Sequence, residues 1–409
     1  MEQNTGTPGR EIEPASPGKQ TITSYFKVKK QRLGWIDQGR GFVVFLLVFI
    51  ELMPEGVKNF NQITRFFFAH PATDAPYISV YDAGVSAFMF VIGLLMSVSF
   101  KKRCEQKGIR NAVLNAVLRW GSIFGLGTGI AIISYGDFGT MKAVAPGVNM
   151  YVVSWDVINA IGFVGLLAIP FMLLPPRHRF ITAYAMMAFY QAMIFMPETY
   201  WRAYAMASVH GGILGGIFVM TAIVLVGSCV GEYFVLNDQV SSHAKAIKLA
   251  WLGIANLAIG LGLWLVPGGF PNKRQSTMGW GTLSMAIVIG GLLGFVYQYK
   301  NIVVHKIINA VNNCRLALFN AFGQNSFFMY ILTYGFIGIM EVIADAEGWL
   351  QVLAWLGSVG MLSVIALLLY KRHVVISTTK IAVVLFILLV VLALVLVPTG
   401  IIDVIKNMF

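Results

Sequence analysis

Six ionisable residues stand out inside or at the edges of long apolar runs: Asp37, Arg40, Glu51, Asp82, Arg119 and Asp156. An ionisable side chain in a membrane span is costly, which makes each a functional candidate by default. Asp37 and Arg40 stand three residues apart, so on a helix they share a face and can pair. Such a pair is either a structural salt bridge at the cytosolic interface or a charged floor for a phosphate-bearing ligand, since Arg suits bidentate phosphate contact. A further candidate, His70, follows the aromatic stretch Phe66-Phe67-Phe68, and Asp82 comes twelve residues after it. A histidine titrates near neutrality, and a carboxylate that orients it completes the usual general-base arrangement. An interfacial histidine is the plainer alternative. His178, His243, His305 and His373 lie near Lys or Arg and read as solvated interface residues. Soluble-enzyme motifs are missing: no P-loop, no dinucleotide fingerprint followed by a strand, no HExxH, no GxSxG and no zinc-spaced cysteines. No metal is expected. If the chain is an enzyme, its site lies among membrane helices.

The elements that must hold these residues follow from composition. The chain has 409 residues, 57% hydrophobic and only 12% charged, with mean hydropathy +0.73. A soluble domain carries about 25% charge and about 45–50% apolar residues. These values exclude a soluble enzyme, a disulfide-stapled secreted domain and a disordered chain. They predict an all-α polytopic membrane protein embedded in a lipid bilayer. Apolar runs recur near 33–54, 78–100, 112–134, 153–174, 180–196, 209–234, 247–266, 280–299, 318–343, 350–370 and 380–402, which gives about eleven transmembrane helices at about 20 residues each. Residues 1–31, rich in Pro, Ser, Thr and Gly, read as a disordered cytosolic tail. Residues 32–409 read as one transmembrane domain. No apolar h-region lies near Met1, so the first run is expected to act as an uncleaved start. Small-residue patches at Gly121–Gly129, Gly211–Gly216 and Gly290–Gly294 suit close helix packing in lipid.

Orientation follows from Lys and Arg. With the N-terminus cytoplasmic, the inner segments hold 21 of them and the outer segments 7, a threefold bias. Eleven spans then leave the C-terminus outside. The +12 net charge needs no nucleic acid to explain it, and none is expected as a partner. This topology puts His70 and His210 on the outer face. Cys104, Cys229 and Cys314 fall on the cytoplasmic side, where no disulfide is expected.

The segment Arg32-Leu33-Gly34-Trp35-Ile36-Asp37-Gln38-Gly39-Arg40-Gly41 resembles the "R-L-x-S-x-D-x-x-R-G" opening of a family of transmembrane acyltransferases, that of heparan-α-glucosaminide N-acetyltransferase and its prokaryotic relatives. His70-Pro71-Ala72-Thr73-Asp74 and the stretch from Val80-Tyr81-Asp82 to Ser97 look like the family's "H-x-x-W … V-A-D-L-V-F-P-x-F-V-F-I-M-G". Trp155 to Gly162 stands where the family has "G-V-L-Q-R-L-G". Phe270-Pro271-Asn272-Lys273 resembles "P-x-N-K-x-x-W-T/S", and Gly323-Gln324-Asn325-Ser326 resembles the late "G-x-N-S". The order is shared over roughly 32–335. The chain departs at Glu51, where the family often has Asn, at Ser86 for a Pro, at Ala160 for an Arg, and at His210-Gly211-Gly212 for an acidic segment.

The resemblance implies an eleven-span enzyme that takes an acetyl or other acyl group from cytosolic acyl-CoA. It implies delivery to an amine or hydroxyl of a glycan or glycolipid across the membrane. His70 would be the outer-face base or acyl carrier. Asp82 would orient it or cap a helix, and Glu51 would act as a second base or orient the acceptor. Asn272 and Lys273 would hold the acceptor or stabilise negative charge. Arg32, Arg40 and Arg119 would meet the donor's phosphates, with Asp37 beside Arg40 in the charged floor of the substrate site, and Asn325 would line the same cavity or cap a helix. The expected home is a prokaryotic plasma (inner) membrane, with a homo-oligomer left open. A multi-span transporter and a non-catalytic relative of the family are the rival readings.

Overall fold

The computed structural model describes residues 34–70, 78–135, 139–153, 155–196, 200–208, 210–237, 239–298, 317–376, 379–380 and 382–388. The tail at 1–31, Arg32, Cys314, His305 and residues 389–402 of the last apolar run lie outside the described residues, as does the Asp37 side chain.

The described chain is mostly helical. Helix α1 (Gly34–Glu51) is followed by two short helices, α2 (Glu55–Lys58) and α3 (Gln62–Phe68), the second opened by an Asn61–Thr64 capping box. Helix α4 (Ala83–Tyr135) runs for 53 residues but breaks at Gly108 (φ 77°, ψ 162°), a conformation that glycine adopts without the Cβ penalty. The sequence reading expected a loop at 101–110; the chain stays helical on both sides of one glycine instead. Next come α5 (Val157–Phe171), α6 (Pro176–Phe195), α7 (Trp201–Ala207) and α8 (Gly212–Gly215). A π-helical turn at Gly216–Met220 leads into α9 (Thr221–Val235), then α10 (Ser242–Trp264) and α11 (Met278–Gln298). The last helices are α12 (Ala317–Gln324), α13 (Ser326–Val342) and α14 (Gly348–Lys371). Among the described residues four helical segments are long and apolar enough to cross a membrane: Ala83–Ala131, Gly212–Phe234, His243–Trp264 and Gly348–Lys371. A fifth is reached if α12 and α13, bent by 91°, count as one broken span. With so much apolar helix, this is an integral membrane protein.

Two expectations need correction. The chain is not purely α: β1 (Gly139–Ala145) and β2 (Val148–Val153) pair antiparallel in a hairpin. Pro146-Gly147 makes the turn, with Gly147 at φ 74°, the left-handed position a Pro-Gly turn needs. The apolar run 318–343 is not one straight helix either, since Asn325 sits at the bend between α12 and α13.

Small residues let the central helices touch, as packing in lipid favours. A Cβ on Gly93 would lie 2.0 Å from the Val224 carbonyl oxygen, joining α4 to α9. A Cβ on Gly127 would lie 2.2 Å from the Asn159 nitrogen, joining α4 to α5. The patch at Gly290–Gly294 behaves otherwise: a Cβ on Gly290, Gly291 or Gly294 would meet nothing within 4 Å. The core runs between α4, α5, α6, α9 and α11 and buries Phe90, Met187, Tyr190 and Trp280.

Candidate functional site

Three segments meet around Asp82, which precedes the first residue of α4. Its side chain is 2% exposed. The Ser79 backbone N–H donates to Asp82 Oδ2 at 3.2 Å, and the Asp82 N–H donates to Ser79 Oγ at 3.1 Å. This reciprocal turn fixes the carboxylate before the helix starts. Trp280, buried on α11, donates its indole N–H to the Asp82 carbonyl at 3.2 Å. Asp82 Oδ1 then lies 2.8 Å from His70 Nδ1. An ionised carboxylate only accepts, so Nδ1 carries the proton and Nε2 keeps the lone pair. The His70 side chain is 52% exposed, and its ring centroid lies 4.5 Å from that of Tyr81. Tyr81 in turn lies near the Glu51 carboxylate at the end of α1.

The third segment is the loop before α11. Asn272 Oδ1 accepts from Gln275 N at 2.9 Å, and Asn272 N donates to Thr277 Oγ1 at 3.0 Å. The Gln275 carbonyl accepts the Tyr190 hydroxyl at 2.7 Å. Held this way, the loop places Lys273 Nζ 3.4 Å from Asp82 Oδ1, and 3.2 and 3.4 Å from the two His70 ring nitrogens. Of the Asn272-Lys273 pair, Lys273 meets the histidine, while Asn272 orders the loop.

Burial opposes the charge on Asp82, but the His70 hydrogen bond and the Lys273 ammonium outweigh it and hold this carboxyl below the usual range. Burial lowers the Lys273 ammonium, with Asp82 countering part of the shift. Sequence reasoning gave His210 no role. In the structure this residue, in the loop before α8, is buried, has φ 53°, and its Nδ1 lacks a hydrogen-bond partner. Its neighbour Gly211 donates its N–H to the Arg274 carbonyl at 2.6 Å, which ties the His210 loop to the Lys273 loop. Burial drives the His210 pKa well below its ordinary value, and Lys273 and His70 push the same way. Sequence reasoning also missed Tyr81, the ring that His70 rests against; its place beside Asp82 was the available signal.

A second group gathers farther along α1 and α4. Arg40, Arg119, Gln324, Asn325 and Ser326 line one cavity of about 100 Å³, with Phe88 and Ile92 also in its wall. The Arg119 guanidinium lies 4.8 Å over the Trp120 ring, and its Nε has no hydrogen-bond partner. Asn325 makes no side-chain cap on α13. It donates to the Val374 carbonyl at 3.0 Å and accepts from Ile376 N at 2.8 Å, so it pins the 374–376 strip to the bend. Phe88 is six residues beyond Asp82, about 9 Å of helix rise, so the two groups are stacked along one helix. Asp156 lies at neither: it caps α5 in a box with Asn159 and accepts the Tyr334 hydroxyl at 3.1 Å. Among the described residues no group of three or more His, Cys, Asp or Glu is placed to hold a metal. Cys104 and Cys229 are free.

Two comparisons bear on this arrangement. The model of the family described as heparan-alpha-glucosaminide N-acetyltransferase, catalytic, matches residues 32–266, more than half of the chain. No curated protein matches the chain.

Proposed function

Because the chain belongs to the heparan-α-glucosaminide N-acetyltransferase catalytic family, we propose that it moves an acetyl group from cytosolic acetyl-CoA to an amine or hydroxyl of a glycan on the outer face. The observation that carries this reading is His70 held at 2.8 Å by buried Asp82, with Lys273 beside both. In the eleven-span topology with the N-terminus inside, that trio faces outward. The Arg40–Arg119 cavity then faces the cytosol, where two guanidinium groups and the Gln324–Asn325 amides suit phosphates and a pantetheine arm.

Each residue then has a task. Asp82 fixes the tautomer and orientation of His70 and balances the charge it gains. His70 Nε2 takes the proton from the acceptor as its nitrogen or oxygen attacks the thioester carbonyl; the C–S bond breaks and CoA leaves as the thiol after protonation. Alternatively Nε2 carries the acetyl group between the two substrates. A burst of one CoA per protein without acceptor separates the second route from the first. Lys273 donates to the developing oxyanion, where a preorganised donor is worth the most. Glu51 lies near Tyr81, the ring against which His70 rests, and would orient the acceptor.

The test is transfer of labelled acetyl from acetyl-CoA to an amino sugar by purified protein, beside thermal stabilisation by acetyl-CoA. Label in the sugar and a raised Tm are expected. A folded protein that neither binds acetyl-CoA nor transfers from it would overturn the reading. The 91° break at Asn325 is the feature a transporter would share. Sugar uptake into vesicles without CoA release would favour that alternative.

A further inference from the structure

A groove of about 250 Å³ runs along α1 between α4 and α11. Phe42, Leu46 and Ile50 of α1, Ala87 of α4, and Ile287 and Gly291 of α11 form its walls. Among its lining residues Tyr81 alone carries a polar side-chain atom. It extends from Gly39 to Ile50, eleven residues of helix or about 16 Å, roughly half of the ~30 Å hydrocarbon core. Phe42, Ile287 and Gly291 are exposed along it, so it is open sideways. Gly291 helps keep it open, since among the described residues no atom lies within 4 Å of where its Cβ would be.

One end of this groove is the catalytic site. Tyr81 lines it and also sits 4.5 Å from the His70 ring and 5.3 Å from Lys273 Nζ. Phe67 and Phe68 of α3 wall the same end, three and two residues before His70. We propose that the groove holds the apolar chain of a glycolipid acceptor and presents its sugar at His70. This rests on the acetyl-transfer reading above and names the acceptor class. A water-soluble acceptor would reach half-exposed His70 from outside and would need no apolar path through the membrane to the same atom. The groove gains little hydrophobic energy over the bilayer, since lipid tails are as apolar as its walls. Its contribution is orientation: it fixes the reacting group at the histidine instead of leaving it to diffuse in the plane of the membrane.

The test pairs one sugar with and without a chain. Full-length protein in lipid nanodiscs receives labelled acetyl-CoA and either methyl or dodecyl glucosaminide. Gly291→Phe fills the groove, while Gly290→Phe adds the same ring next to it, outside the lining. A Cβ meets no atom within 4 Å at either position, so both variants should melt like the wild type. The wild type should favour the dodecyl compound at least tenfold in kcat/KM. Gly291→Phe should erase that preference, leave the methyl compound within twofold, and differ in this from Gly290→Phe. Because partition into the nanodisc is the same for all three proteins, detergent-like enrichment cannot produce that pattern. Equal use of the dodecyl compound by Gly291→Phe and wild type overturns the proposal. So does a Gly291→Phe protein that loses a dimer but no activity, since the groove would then seat a second copy. Transfer to the methyl compound alone leaves the acetyltransferase standing and removes the lipid acceptor. Transfer to neither overturns both.

Discussion

Two clusters of charge in this molecule use the same ingredients to opposite ends. The first, His70, Asp82 and Lys273, joins three loop segments. The second, Lys101, Arg179 and Glu232, joins α4, α6 and α9. In the second every member is at most 5% exposed. Both Glu232 oxygens are taken, one by Lys101 at 2.5 Å and the other by Arg179, whose Nη1 also donates to Ser228 Oγ at 2.8 Å. Such a network, buried on every side, locks three helices in register. In the first cluster the carboxylate is as deeply buried, yet the histidine it holds is half exposed. Burial of the orienting group with exposure of the oriented one marks the reactive cluster. The number of charges does not distinguish them.

The sharpest way to break this contrast is to delete one member of each. His70→Ala should lower acetyl transfer by about 10²–10⁴-fold, the usual reach of a general base, with little change in Tm because an exposed side chain is removed. Full activity would end the histidine mechanism. Glu232→Leu should do the reverse. It strands two buried cations and should cost about 3–5 kcal/mol of stability in chemical unfolding, while replacing all three residues with apolar ones should recover most of it. If Glu232→Leu instead loses turnover at unchanged stability, the inner cluster is functional and the contrast fails.

The same contrast shows what could be read from the sequence. His70 and Asp82 were legible because their spacing and the apolar context stand out along one chain. That Lys273 joins them was legible only through the resemblance, since it lies 203 residues away from His70. The inner cluster was not legible. Arg179 follows Pro175-Pro176 and looks like an interfacial charge, but Pro176 starts α6 immediately and carries the guanidinium into the bundle. Lys101 looked like a loop lysine because helical continuity up to Gly108 has no periodic signature in so basic a stretch. Glu232 sits near the end of an apolar run and drew no notice. The apolar runs became helices, but the hairpin at 139–153 was missed although Pro146-Gly147 between alternating residues is a turn signal. The bend at Asn325 has no local cause in the sequence; the partners that stabilise it are 49 and 51 residues ahead.

A smaller effect separates binding from chemistry. Arg40→Ala should raise the KM for acetyl-CoA roughly tenfold, as expected for losing a charge-assisted hydrogen bond, and leave kcat near the wild-type value. The same change at Arg119 should act in the same direction, because both side chains line the cavity. An unchanged KM in both variants would make these arginines a structural feature like the inner cluster, and the donor site would have to lie elsewhere.

His210 tests the contrast from a third side, since it is buried like the inner cluster but lies in the loop tied to Lys273 of the first cluster. Its folded pKa lies well below its ordinary value, through burial first and then the nearby Lys273 and His70 charges. The unfolded chain therefore takes up a proton at this residue below about pH 6.5, where the folded protein does not. Folding stability must then fall as the pH drops from about 6.5, by up to about 1.4 kcal/mol per pH unit for this residue, and must be indifferent to it above that. His210→Asn keeps a polar side chain and tolerates the left-handed backbone at φ 53°, but it cannot titrate. Tm measured from pH 7.5 down to 5.0 should decline less steeply in His210→Asn than in the wild type, with the two curves converging toward a constant offset above pH 7. Parallel curves would mean that His210 charges freely in the folded state. Its pocket would then be open to water, and the outer cluster would extend one residue deeper than the contrast with Lys101, Arg179 and Glu232 allows.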